Sequence, residues 1–77
     1  MEAIVYSTPA CTWCDKVTNL LIDAEAEVNK IDITESRENF DMMTNVAGNV
    51  RTVPQVVVDG KYIGGYKETE EYLRRKN

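Results

Sequence analysis

The sequence predicts an α/β fold: a four-stranded mixed sheet covered by three helices, in the order β-α-β-α-β-β-α. Three observations predict it. Short β-rich runs alternate with segments whose apolar residues recur at helical spacing. The first strand, helix and strand make a parallel βαβ unit. Asp59-Gly60 then separates two further strand-like runs, the signature of a tight hairpin, so the last two strands are antiparallel. With 77 residues the chain makes one domain, residues 1–77. A chain of this size buries only roughly 60–65% of the surface that its unfolded form exposes, so every element has to contribute.

Residues 2–6, EAIVY, form the first strand, which ends at Ser7-Thr8-Pro9. From Thr12 to about Ala26 the spacing is helical, with Val17, Leu20, Leu21 and Ala24 on one face and Cys14 one turn earlier on the same side. Residues 28–33, VNKIDI, alternate as a strand does. Thr34-Glu35-Ser36 offers capping side chains for a second helix that carries Phe40, Met43 and Ala47 on one face and stops at Gly48-Asn49. Gln55 to Val58 is the third strand and Lys61-Tyr62-Ile63 the fourth. Gly64-Gly65 breaks it, and residues 67–75 form a last helix with Tyr72 and Leu73 toward the core. Early Glu68, Glu70 and Glu71 and late Arg74-Arg75-Lys76 suit that helix's dipole.

Composition narrows the function. The formal charge of −4 opposes nucleic acid as a main partner, because phosphate binding needs a basic surface. Only Ala3-Ile4-Val5 is apolar after Met1, far short of a signal peptide's apolar region of about 7–15 residues. No stretch approaches the roughly 20 apolar residues of a membrane span. A cytoplasmic, reducing setting is the expectation, and there a catalytic cysteine pair is more reasonable than a structural disulfide.

Residues 8–16 read TPACTWCDK and contain both cysteines of the chain. A Cys-x-x-Cys pair can be half a zinc site, a structural staple or a redox-active dithiol. Zinc normally takes four ligands, and with no histidine present such a site would need carboxylates or a second subunit, so no metal ligands are assigned. The predicted strand–helix junction favours the dithiol. Cys11 falls where unpaired backbone N–H groups and the helix dipole favour an anion, and such sites lower a cysteine pKa from about 8.5 into the range of roughly 3.5–7.5. Cys14 lies inside the first turn, close to Cys11 but more shielded. Cys11 is therefore the expected attacking thiol and Cys14 the resolving one. The lack of histidine disfavours a Cys-His hydrolase, whereas thiol–disulfide exchange needs no imidazole base once the thiolate is populated.

Three blocks in order, VYSTPACTWC, TVPQVVVDG and IGGY, resemble the glutaredoxins of the thioredoxin superfamily over nearly the whole chain. The resemblance implies a thioredoxin-like fold and a thiol–disulfide oxidoreductase with glutathione as co-substrate and no tightly bound cofactor. Its partners would be glutathione and disulfide-containing or glutathionylated proteins, ribonucleotide reductase among the candidates, and the protein would act as a monomer. Thr52-Val53-Pro54 matches the segment whose proline is cis in the superfamily; there the backbone of Val53 would pair with an extended substrate as an added strand does. Gly65, Tyr66, Lys67 and Glu68 match the segment that receives the γ-glutamyl end of glutathione, where helix N-terminal N–H groups favour a carboxylate and Gly65 permits close approach.

The resemblance also places Thr8, Trp13 and Arg51 beside the ligand. Thr8 stands where many glutaredoxins carry a lysine, with Lys16 or Arg51 as candidate substitutes for its charge. Thr12-Trp13 replaces the commoner Pro-Tyr, and Lys67 stands where acidic or hydroxyl residues are usual, leaving Glu68 to meet a substrate ammonium. Trp13 is expected to be exposed as a flat apolar contact. Tyr6 and Tyr66 are candidates for the same cleft, Tyr6 equally for the core. Two other readings follow from these departures: a redoxin fed by thioredoxin reductase that serves ribonucleotide reductase, and a glutathione-ligated [2Fe–2S] binder, which the replacement of proline by Thr12 permits.

Overall fold

Strand β1 (Glu2–Ser7) runs through the middle of the sheet because its residues are apolar on both faces. The computed structural model describes residues 1–76. β1 pairs in parallel with β2 (Glu27–Asp32) and antiparallel with β3 (Gln55–Val58), which in turn pairs antiparallel with β4 (Lys61–Gly64). The strand order is β2-β1-β3-β4. Helices α1 (Thr12–Asp23), α2 (Arg37–Ala47) and α3 (Tyr66–Lys76) complete the predicted β-α-β-α-β-β-α order.

Side chains alternate across a strand, and the two faces of this sheet carry two cores. Ala3 and Val5 of β1 and Val56 and Val58 of β3 point to one face, where Val17 and Leu21 of α1 and Leu73 of α3 cover them. Tyr6 of β1 and Val57 of β3 point to the other, against Met43 of α2, with Phe40, Val50 and Val53 packed around them. Tyr6 is thus a core residue rather than a cleft residue, at 3% exposure.

The hairpin follows its sequence signal. Asp59 and Gly60 both adopt positive φ, 49° and 81°, as a two-residue turn matched to strand twist requires. Asp59 also ties the hairpin to the start of β1: its Oδ1 accepts the Glu2 N–H at 2.8 Å, and its own N–H donates to the Glu2 carbonyl at 2.8 Å. Ser36 caps α2 as expected, its hydroxyl accepting the Asn39 N–H at 3.1 Å.

Most boundaries shift by a single residue, β2 to 27–32 from 28–33 among them, and the end of α1 differs by more. The apolar spacing predicts α1 through about Ala26, but the helix stops at Asp23. Glu25 takes φ 64°, its N–H donates to the Ile22 carbonyl at 2.9 Å, and the Ala26 N–H donates to the Leu21 carbonyl at 3.0 Å. That is a Schellman ending with glutamate where glycine is usual, so no local residue announces it.

Candidate active site

The N-terminus of α1 is built around Cys11. This residue is the N-cap, extended at φ −105°, and its Sγ accepts the Cys14 N–H at 3.1 Å, the position a serine or aspartate oxygen would take. The sulfur therefore sits where helix N–H groups favour negative charge. Cys11 is half-buried and Cys14 is fully buried, and the two form a disulfide with Cα atoms 5.2 Å apart. Asp15 in the same first turn pairs with Lys30 of β2 at 3.0 Å.

Two other segments converge on this helix end. Residues 51–54 lead into β3 with a cis Val53-Pro54 peptide, and the Val53 carbonyl oxygen lies 3.9 Å from Cys11 Sγ. Behind it, the N-terminus of α3 comes so close that a side chain on Gly65 would sit 3.5 Å from the Pro54 carbonyl. Trp13 is 54% exposed and its ring meets that of Tyr66 at 5.2 Å between centroids, tilted by 58°. Cys11, Val53, Pro54, Gly65, Trp13 and Tyr66 thus surround one surface.

A family comparison decides what this surface belongs to. The glutaredoxin family model matches residues 3–63. The chain belongs to the glutaredoxin family. Glutaredoxin from Haemophilus influenzae is 28% identical over 82 residues, covering 99% of this chain and 94% of its own. An uncharacterised glutaredoxin-like 8.6 kDa protein in the rubredoxin operon of Clostridium pasteurianum is 32% identical over 69 residues, 86% of this chain and 87% of its own. The crystal structure of a buckwheat glutaredoxin–glutathione complex superposes with a TM-score of 0.78 at 27% identity, covering 96% of this chain and 69% of that one. The chemistry of this glutaredoxin is thiol–disulfide exchange through the Cys11–Cys14 pair.

The remaining sequence-predicted residues divide. Thr52 is exposed at the start of the Val53-Pro54 step, while Pro54 is buried. The side chains of Thr8, Arg51 and Lys67 make no hydrogen bond or ion pair among the described residues. Lys16 does not stand free: its Nζ lies over the Trp13 ring, 4.4 Å from the centroid. Glu68 folds back on the start of α3, its Oε1 accepting the Gly65 N–H at 2.9 Å. Glu68 is the third residue of the helix, so this is the return half of a capping box. Gly65 itself is held from within the helix, its carbonyl accepting both the N–H and the hydroxyl of buried Thr69 at 3.0 and 2.8 Å.

Sequence reasoning passed over Gln55 and Tyr62. Gln55 is 6% exposed, and its side chain bonds to Thr52 on one side and to the Tyr62 hydroxyl on the other. One signal was available: Gln55 is the single polar residue in a β3 that otherwise reads Val56-Val57-Val58.

Proposed function

We propose that this glutaredoxin is a dithiol, glutathione-dependent reductase of protein disulfides and glutathione mixed disulfides. The observation that carries this is the environment of Cys11: a half-buried sulfur on the α1 N-terminus, 3.9 Å from the Val53 carbonyl, with buried Cys14 behind it. The Cys11 thiolate attacks the glutathione sulfur of a mixed disulfide. A Cys11–glutathione disulfide forms, and the target leaves as thiolate. A second glutathione thiolate then attacks the glutathione sulfur on Cys11, giving oxidised glutathione and restoring Cys11. With protein disulfides Cys11 bonds to one target sulfur, Cys14 attacks Cys11, and the target leaves as a dithiol; two glutathione molecules then reduce the Cys11–Cys14 disulfide.

Glutathione in the buckwheat relative's complex supports the choice of co-substrate. Its backbone would pair with Val53, and its γ-glutamyl carboxylate would take the free N–H groups at the start of α3. The second Glu68 oxygen would meet its ammonium, and Trp13 would cover the tripeptide's apolar stem. Thr8, Arg51, Thr52, Tyr66 and Lys67 complete the proposed rim.

The test is turnover of a glutathione mixed disulfide with glutathione, NADPH and glutathione reductase. Cys11→Ser should abolish turnover. Cys14→Ser should retain deglutathionylation and lose reduction of protein disulfides. Wild-type activity no higher than that of Cys11→Ser would overturn the reading. The competing reading, electrons from thioredoxin reductase, draws on Thr8, which brings no cation to the site. Replacing glutathione and its reductase by thioredoxin reductase in the same assay distinguishes the two.

A further inference from the structure

The Gln55 side chain is fixed at both ends. Its Nε2 donates to the Thr52 carbonyl at 3.0 Å and to the Thr52 hydroxyl oxygen at 3.2 Å. Its Oε1 accepts from the Tyr62 hydroxyl at 2.7 Å. The orientation is forced by chemistry: a carbonyl only accepts, so the amide must turn its NH₂ to Thr52, and Tyr62 must then donate. Every buried side-chain polar atom among the described residues has a partner, this amide included.

What the amide holds is the segment facing Cys11. Among the described residues, no backbone–backbone hydrogen bond ties residues 51–54 to the rest of the fold. Their anchors are the buried Pro54, the packing of Val53 against the Tyr6, Met43 and Val57 core, and the grip of Gln55 on Thr52. The Val53 carbonyl next along the chain lies 3.9 Å from Cys11 Sγ.

We propose that Gln55 is a positioning residue for thiol–disulfide exchange, setting the height of the Thr52-Val53 backbone against Cys11 while Tyr62 locks the amide. It rests on the reading that the substrate backbone lies along Val53. The substrate backbone pairs with Val53 before and during exchange alike, so a displaced Val53 weakens binding of the disulfide and leaves the chemical step at Cys11 nearly unchanged.

Gln55→Glu tests this. The carboxylate still accepts from Tyr62 but turns an acceptor toward the Thr52 carbonyl; protonation restores a donor there. At pH 8, KM should rise about tenfold with kcat within about twofold, the scale of one or two lost buried hydrogen bonds. At pH 5 the ratio of variant to wild-type KM should return to within about threefold, because burial favours the protonated carboxyl. Gln55→Leu should raise KM equally at both pH values, and Tyr62→Phe about two- to threefold, since it frees the amide without removing it. Simple loss of folded protein would lower Vmax and leave KM alone. Unchanged KM in Gln55→Leu and Tyr62→Phe, or a Gln55→Glu deficit that persists at pH 5, would overturn the proposal. If Gln55→Glu does not fold, the other two variants decide.

The substrate is whichever of a glutathione mixed disulfide and an insulin disulfide the wild type reduces, with products separated directly. Wild-type turnover of the former tests the glutathione reading by itself; the variant ratios test Gln55.

Discussion

Gly64→Ala should cost this small protein a large part of its stability, and the structure allows the cost to be divided. Gly64 holds φ at 129°, where side-chain-bearing residues are strained by about 1–3 kcal/mol. An added Cβ would also lie 2.9 Å from Glu68 Cγ and 3.0 Å from Glu68 Cβ. Those atoms sit at the root of the side chain, so swinging the carboxylate aside does not clear them. Glu68 must change rotamer, and its 2.9 Å bond from the Gly65 N–H is lost, about 0.5–1.5 kcal/mol more. The sum is about 1.5–4.5 kcal/mol, and at about 4–8 °C per kcal/mol for a domain of this size the Tm falls by roughly 6–36 °C. Urea and thermal unfolding of Gly64→Ala, Glu68→Ala and the double variant measure both parts. In the double variant the contact with Cγ disappears while that with Cβ remains, and the Gly65–Glu68 hydrogen bond is lost only once, so the two losses should fall short of additive by about 0.5–1.5 kcal/mol. A single variant within about 0.5 kcal/mol of wild type, or strict additivity, would refute the reasoning.

Glu25→Gly should stabilise the fold by about 0.5–1 kcal/mol, because Glu25 holds the left-handed end of α1 at φ 64° that glycine adopts without strain; urea denaturation checks it. Trp13→Ala removes the 5.2 Å contact with Tyr66 and the seat of Lys16, and should lower stability by about 1–2 kcal/mol, with Trp13→Phe recovering most of it in the same assay. Burial in the sheet core raises the Tyr6 hydroxyl above its ordinary value of 10.0, so the unfolded chain releases that proton first. Its contribution is complete below pH 10.0 and is lost as pH rises from there through the folded value. Stability measured across that alkaline range should therefore fall more steeply in wild type than in Tyr6→Phe.

Local signals carried most of the architecture into view. Period and turn chemistry fixed the element order, and Asp59-Gly60 adopts the two positive φ angles its dipeptide advertises. Cys11 at a strand–helix junction needed only the boundary between an apolar run and a helical one. Harder to see were features that depend on pairing register or on a backbone state that no residue type marks. Glu25 ends α1 without glycine, so apolar spacing ran on to Ala26. Tyr6 could not be assigned to core or cleft until the covering helices were known, since alternation separates two faces without saying what lies over each. The tether from Tyr62 through Gln55 to Thr52 joins residues on two strands and a loop, and appears only once the hairpin is folded. Lys16 read as a substitute for the charge that Thr8 lacks or as a surface charge, although its place three residues after Trp13 on one helix was the signal for the ring contact.

The unequal burial of the two sulfurs gives the exchange a direction. Cys14 has no exposed surface, whereas Cys11 reaches solvent in part. Displacement at a disulfide sulfur proceeds along a line, with the incoming and departing sulfurs on opposite sides of the atom attacked. In the proposed mechanism Cys14 attacks Cys11 from inside the protein, and the group bound to Cys11 then departs outward, toward bulk water. The resolving step is thus also the ejection step: closing the Cys11–Cys14 bond and expelling the cargo are one movement along one axis, and no separate opening of the protein is needed to release the product.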